Sequence, residues 1–322
     1  MKQKNILLVL LLVLFIILFF LPLPVYITHV LVLTFYYAYL GTAWNLMCGY
    51  SGRLSLGHAS FTAIGAYITL LLYKNMGLTP WLGLLVGGIL AVIVMTIIAY
   101  PCFRFGLKGP YFTLASIAVA EIVQNVLLSM RNITGGSLGL SLPYHPTSLT
   151  LLQFDSKKEY YLLIFILWLI AVGIVWRLER LRYYLAAIRE DESAAAALGV
   201  SVTKNLVAAA TLSAFLVALG GTFYAQYFRY IDPYSVAGFS MSLNMALVTI
   251  VGGTGTILGP TVGAFILIPL SEILRLSVGA KLAGLHLFVY GVLLIITIIF
   301  LPKGLTSIPN IFKDKWGKKV MN

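Results

Sequence analysis

The chain has 322 residues, of which 60% are hydrophobic and only 10% charged, with a formal net charge of +12. Soluble domains carry roughly 25% charged residues, and a soluble fold of this size has too little interior for so much apolar sequence, so a bilayer must serve as solvent. The positive balance does not point to nucleic acid, because Lys and Arg fall in short loops and at the two ends and form no basic stripe with interleaved aromatics.

At the start, Met1-Lys-Gln-Lys4 precedes an apolar stretch over 6–21 that resembles a signal peptide. No small-residue cleavage site precedes Pro22-Leu-Pro24, so the stretch is expected to be a retained first span. Apolar runs bounded by charge, Gly or Pro then predict spans at 6–22, 25–47, 54–73, 81–101, 110–130, 159–177, 205–228, 240–253, 256–274 and 285–301. A crossing helix needs about 20 residues, and 240–253 is short of that. The expected fold class is all-α: one polytopic transmembrane domain over 1–322, with about ten helices (eight to ten).

Charge bias orients the spans. With the N-terminus inside, the outer side holds Lys74, Arg131, Lys157, Lys158, Arg229, Arg275 and Lys281, and the other 15 of the 22 Lys and Arg lie inside. Both termini, the polar segment 182–205 and the basic tail 303–322 are therefore predicted to be cytoplasmic. Segment 131–158, broken by Gly135-Gly136, Pro143 and Pro146, is predicted to be an external loop, either ordered or disordered. Cys48 and Cys102 fall at inner ends of spans and form no framework of pairs.

Two glycine-rich stretches open inside-to-outside spans, Gly49 to Tyr67 and Gly252 to Phe265. Gly57, Ala59, Ser60, Gly65 and Ala66 in the first, and Gly255, Gly259 and Gly263 in the second, put small faces on helices and let backbones approach closely. Interrupted helices of this kind resemble the broken helices of transporters, although the two stretches run the same way and so form no inverted repeat. Together with Gly52, Ser55, His58, Gly252 and Gly253 they mark the candidate pathway and packing residues. His58 and Ser60 are two apart, so they do not face each other on a helix, and no acid stands near to orient the imidazole. A buried histidine bonded to a neighbouring carbonyl is the expected state. Gly252-Gly253-Thr-Gly255 lacks the Lys-Ser/Thr and the preceding strand of a phosphate loop. His29, His58, His145 and His286 are too dispersed to share a metal.

Glu121 falls in the middle of a span, with Gln124 and Asn125 three and four residues on. A mid-membrane carboxylate is costly unless paired, hydrated or protonated, so this polar face is expected to point into the bundle. It marks either a translocation path or a carboxylate satisfied by internal hydrogen bonds. Glu272 and Arg275, three apart, are expected to pair locally.

In the polar segment 182–205, Ala194 to Ala197 are strong helix formers, Asp191 or Ser193 suits an N-cap, and Gly199 suits an αL C-terminus. Leu185, Ile188, Ala195 and Leu198 fall on one side of an amphipathic helix.

The ordered set Gly52-Arg-Leu-Ser-Leu-Gly-His-Ala-Ser-Phe61, Gly106-Leu-Lys-Gly-Pro-Tyr-Phe-Thr-Leu114, Arg189 to Gly199, Val251-Gly-Gly-Thr-Gly-Thr-Ile-Leu-Gly-Pro260 and Phe300-Leu-Pro-Lys-Gly-Leu305 resembles the permease subunits of branched-chain amino acid ATP-binding-cassette importers, most closely the longer of that system's two permeases. The resemblance implies a second permease in a heterodimer, two cytoplasmic ATPase subunits that carry ATP and Mg, an extracytoplasmic substrate-binding protein, and a prokaryotic cell membrane. It implies no cofactor and no catalytic residue on this chain. Glu190 to Gly199 resembles the family's Glu-x-Ala-Ala-type loop, one position longer from Glu192 to Gly199 than the stricter form. Arg189, Glu190, Asp191, Glu192, Ala195, Leu198 and Gly199 are then expected at the ATPase contact. The pathway is expected near Gly49 to Tyr67, Glu121, Gln124 and Gly252 to Phe265. Related importers of urea, short amides or nucleosides share these motifs, and a proton-coupled secondary transporter working through Glu121 is a third expectation. The absence of a clustered acid, base and nucleophile argues against an intramembrane enzyme.

Overall fold

The computed structural model describes residues 21–145, 147–278 and 304–307, with isolated positions between 285 and 295. Predicted span 6–22 as far as residue 20, most of span 285–301, His286 and the tail from 308 on lie outside the described residues. The other eight predicted spans each coincide with helix. They are α1 (Val25–Ser51), α2 (Ala59–Met76), α3 (Pro80–Arg104), α4 (Pro110–Ser129), α6 (Lys157–Arg177), α9 (Val202–Phe228), the pair α10 (Pro233–Ala237) and α11 (Phe239–Gly252), and α12 (Gly259–Val278). The stretch that looked too short at 240–253 gains length from α10, and Pro233–Gly252 together makes 20 residues.

Seven of these segments are long and apolar enough to cross a membrane. The exception, α2, carries Lys74 and Asn75 near its end, and it packs against α3 and α9.

Local chemistry sets the boundaries. Pro80 and Pro110 begin α3 and α4, where a missing N–H costs nothing. The Ser156 hydroxyl caps α6 and the Asp232 carboxylate caps α10.

Helix α1 is the mast of the bundle. It touches α6, α9, α11 and α12, and from Val32 to its end only Tyr37 is not buried, as expected of a helix that is apolar all round. At the other extreme, α4 buries only Phe112, Ser116 and Ala120.

The two ends of the bundle differ. At the predicted outer end, segment 131–158 carries local structure among its described residues. It contains the one-turn helix α5 (Arg131–Thr134) and strand β1 (Leu140–Ser141), which pairs antiparallel with β2 (Tyr230–Ile231). This pairing is a small departure from an all-α expectation. Asp155 accepts from Tyr144 and Thr147, and the Arg229 guanidinium lies 4.9 Å from the Tyr144 ring centroid. At the predicted inner end lie α7 (Glu179–Glu190) and α8 (Glu192–Ala197).

Candidate functional site

The site is built on the C-terminal end of α1. That helix stops because Gly52 adopts φ +70°, which leaves its last carbonyls without intrahelical partners. Arg189 of α7 donates from Nη1 to Gly49 O at 3.1 Å, and Arg182 lies over the Tyr50 ring at 5.7 Å. Two cations thus meet the negative end of the helix dipole. Gly52 allows this contact, because a Cβ there would stand 3.0 Å from Arg189 Cγ. Between the two arginines, Leu185 and Ile188 are buried against the bundle.

Asp191 then breaks the segment. Its backbone is extended (φ −152°, ψ 113°), and its carboxylate accepts from the N–H groups of Ser193 and Ala194 at 2.8 and 2.9 Å, making it the N-cap of α8. Gly199, at φ +85°, lies just past the end of α8. The break changes the facing of the second helix and corrects the expectation of a single amphipathic side. Leu185, Ile188 and Ala195 are buried as expected, but Leu198 is 86% exposed. Ala195 therefore seats α8 on the bundle, while Leu198, Ala194, Ala196 and Ala197 face outward, as do Glu190 and Gly199.

Glu192 reaches back into the protein. Its Oε2 lies 2.7 Å from Arg53 Nη2 and 2.8 Å from Lys108 Nζ, and Arg53 also donates to Leu107 O at 2.7 Å. One carboxylate thereby joins α8, the loop after α1 and the loop after α3. The Arg53 side chain is only 8% exposed, so this is a charge-assisted contact with little solvent competition.

Both glycine stretches converge here. Asn45 donates from Nδ2 to Thr256 O at 2.8 Å and accepts at Oδ1 from Gly255 N at 2.9 Å. Gly255 lies in a loop beside Gly49 O and Arg189, not on a helix face, which corrects the four-apart reading of Gly255, Gly259 and Gly263. Gly259 and Gly263 do pack helix to helix, α12 against the end of α11, with Gly252 and Gly253 on the facing side. In the first stretch Gly57 is also in a loop: a Cβ would lie 2.0 Å from Ser116 O, and Leu56 N donates to Ser116 Oγ at 3.0 Å. Gly65 sits on α2 directly against Ala218 O of α9.

His58 is fully buried, but its partners are hydroxyls, not the expected carbonyl. Nδ1 lies 2.8 Å from Ser55 Oγ and Nε2 lies 3.0 Å from Ser213 Oγ. Ser213 gives its own proton to Ala43 O at 2.7 Å, so His58 donates from Nε2 and accepts at Nδ1. Ser60 bonds Gly57 O and does not touch the imidazole. Among the described residues, no three His, Cys, Asp or Glu side chains gather as a metal site. Glu272 and Arg275 pair at 3.4 Å as expected.

Glu121 lies apart from this centre and does not point into the bundle. It and Asn125 are exposed on α4, Gln124 is half-buried, and Asn125 Nδ2 bonds the Glu121 backbone carbonyl and not its carboxylate. Two of the residues that organise the site, Asn45 and Lys108, were not singled out by sequence patterns. The available signals were a lone Asn in a buried apolar span and a Lys inside the Gly106-to-Leu114 motif.

The helices and their clamped polar segment define a polytopic helical membrane protein in which an exposed short helix is fastened to two glycine loops at one end of the bundle. The chain belongs to the branched-chain amino acid transport system permease component family, whose pattern matches residues 26–298. It is 30% identical over 300 residues to the high-affinity branched-chain amino acid transport system permease protein LivM of Escherichia coli (strain K12), covering 86% of this chain and 69% of that one. The LivM protein of Salmonella typhimurium is 29% identical over the same shares. The LivH permease of Escherichia coli (strain K12) is 21% identical over 302 residues, covering 86% of this chain and 93% of that one. No solved structure matches the chain. The relatives are permease subunits, not enzymes, and the chain is a multi-pass membrane permease.

Proposed function

We propose that this chain is one of two permease subunits of an ATP-driven importer of Leu, Ile and Val in a prokaryotic cell membrane. It has about ten spans (eight to ten), both termini and 182–205 in the cytoplasm, and 131–158 outside. The observation that carries this reading is the clamp. Arg189 and Glu192 tie α7 and α8 to the ends of α1, α2 and α4 through the first glycine loop, and Asn45 ties in the loop between α11 and α12. A push on α8 is therefore delivered to both glycine loops together, which is how closure of ATPase subunits outside the membrane is converted into opening of a path. ATP and Mg belong to those subunits, and this chain binds neither. Similarity to both LivM and LivH supports a pair of permeases of this family, and an extracytoplasmic binding protein delivers the solute.

In this reading Leu198 and the exposed alanines of α8 enter the ATPase. Leu198→Glu is expected to weaken ATPase association by roughly 30-fold, the effect of losing a central anchor of about 2 kcal/mol, while leaving the amount of membrane-inserted chain unchanged. Co-purification with the ATPases measures this, and undiminished association refutes the docking role.

The mid-span carboxylate of Glu121, exposed on the sparsely covered α4, is placed against the second permease and its solute path, because a lipid-facing charge there is costly. The topology has its own test. Ser193→Cys is expected to react with a membrane-impermeant maleimide in inside-out vesicles and to resist it in intact cells.

A further inference from the structure

The inner ends of α3 and α9 enclose a cleft of about 570 Å³ that plays no part in the clamp. Arg104, the last residue of α3, and Lys204, in the first turn of α9, line it together, with Tyr100 and Val207 one turn further along their helices and the hydroxyl residues Ser201 and Thr203 also in the lining. The ion pairs among the described residues are Arg53–Glu192, Lys108–Glu192 and Arg275–Glu272, so no carboxylate neutralises either cation of the cleft. Two like charges held beside one cavity call for an anion.

The cleft also has a side suited to hydrocarbon. Tyr100 is 54% exposed, and Ile97 one turn before it on α3 is 67% exposed. A soluble anion gains nothing from that apolar continuation, whereas a lipid gains from both parts. Basic pockets between transmembrane helices on the cytoplasmic side hold the headgroups of anionic lipids.

We propose that this cleft binds an anionic phospholipid of the inner leaflet, with its headgroup phosphate between Arg104 and Lys204 and an acyl chain running past Tyr100 and Val207 toward Ile97. The inner-leaflet placement rests on the topology proposed above. Since α9 begins at Val202, within 182–205, a lipid seated here would hold the junction between the coupling segment and the bundle.

The full chain, purified in a neutral detergent, is titrated with dioctanoyl phosphatidylglycerol, dioctanoyl phosphatidylcholine and inorganic phosphate, with thermal stabilisation as the readout. The phosphatidylglycerol is expected to bind at least tenfold more tightly than either of the others. At about fivefold per basic residue, the double variant Arg104→Gln/Lys204→Gln is expected to lose roughly 25-fold in phosphatidylglycerol affinity. The charge-keeping variant Arg104→Lys/Lys204→Arg is expected to stay within about threefold of the parent, which controls for folding. Unchanged phosphatidylglycerol affinity in the Gln variant overturns the site. Equal binding of inorganic phosphate overturns the lipid in favour of a free anion. Labelling of Ser193→Cys from outside overturns the leaflet assignment and the topology, while the lipid preference is still read on its own.

Discussion

Replacing Glu192 with Gln is expected to stop solute uptake and to uncouple it from ATP hydrolysis. The carboxylate is the only charged partner of Arg53 among the described residues, and the Arg53 side chain is 8% exposed. Removing one member of a buried pair leaves the other charge uncompensated, at about 3–5 kcal/mol when burial is complete. Glu192 keeps 21% exposure and Arg53 keeps its bond to Leu107 O, so a cost nearer about 2 kcal/mol is expected. That cost falls on the attachment of α8 and not on the packing of the spans. In the proposed importer, the chain should therefore accumulate in the membrane while the ATPase subunits hydrolyse without transporting. Lys108→Gln is the internal control: Lys108 is 57% exposed, and a pair of that kind contributes about 0–1 kcal/mol. Uptake and ATPase assays on Glu192→Gln, Arg53→Gln and Lys108→Gln rank the three. Normal uptake in the first two removes the clamp from the mechanism.

Local and periodic features were legible in the sequence, and features that join distant segments were not. The helices of α7 and α8, the Asp191 cap and Gly199 follow from nearest-neighbour chemistry. The facing of Leu198 depends on which of Asp191 and Ser193 is the cap, because an N-cap at 191 requires extended backbone there and resets the helical phase. Asn45 bonds Gly255 and Thr256 at separations of 210 and 211 residues, a relation that no window of sequence contains. Glu121 shows a different limit. Hydropathy marks it as a charge that must avoid lipid, but it cannot distinguish the interior of one chain from the interior of an assembly, and here α4 buries almost nothing within its own chain.

The glycines around Gly252 carry the second large expected effect, and it bears on how the site moves. A Cβ at Gly252 would lie 1.8 Å from Gly259 O and 2.8 Å from Gly263 N, and one at Gly263 would lie 1.8 Å from Val248 O. The obstructing atoms are backbone on both sides, so no side chain can swing away, and the end of α11 and the start of α12 are locked together. Gly252→Val is expected to destabilise the chain by roughly 3 kcal/mol or more and to leave little folded protein in the membrane. Gly173→Val on α6, where an added Cβ meets nothing within 4 Å, is expected to accumulate normally. Quantifying folded, detergent-extracted protein by size exclusion compares the two, and equal yields contradict the backbone contact. A joint this tight does not hinge at the glycines themselves. Helices α11 and α12 must move as one body with the 253–258 loop, and the bonds from Asn45 to Gly255 and Thr256 are where α1 takes hold of that body.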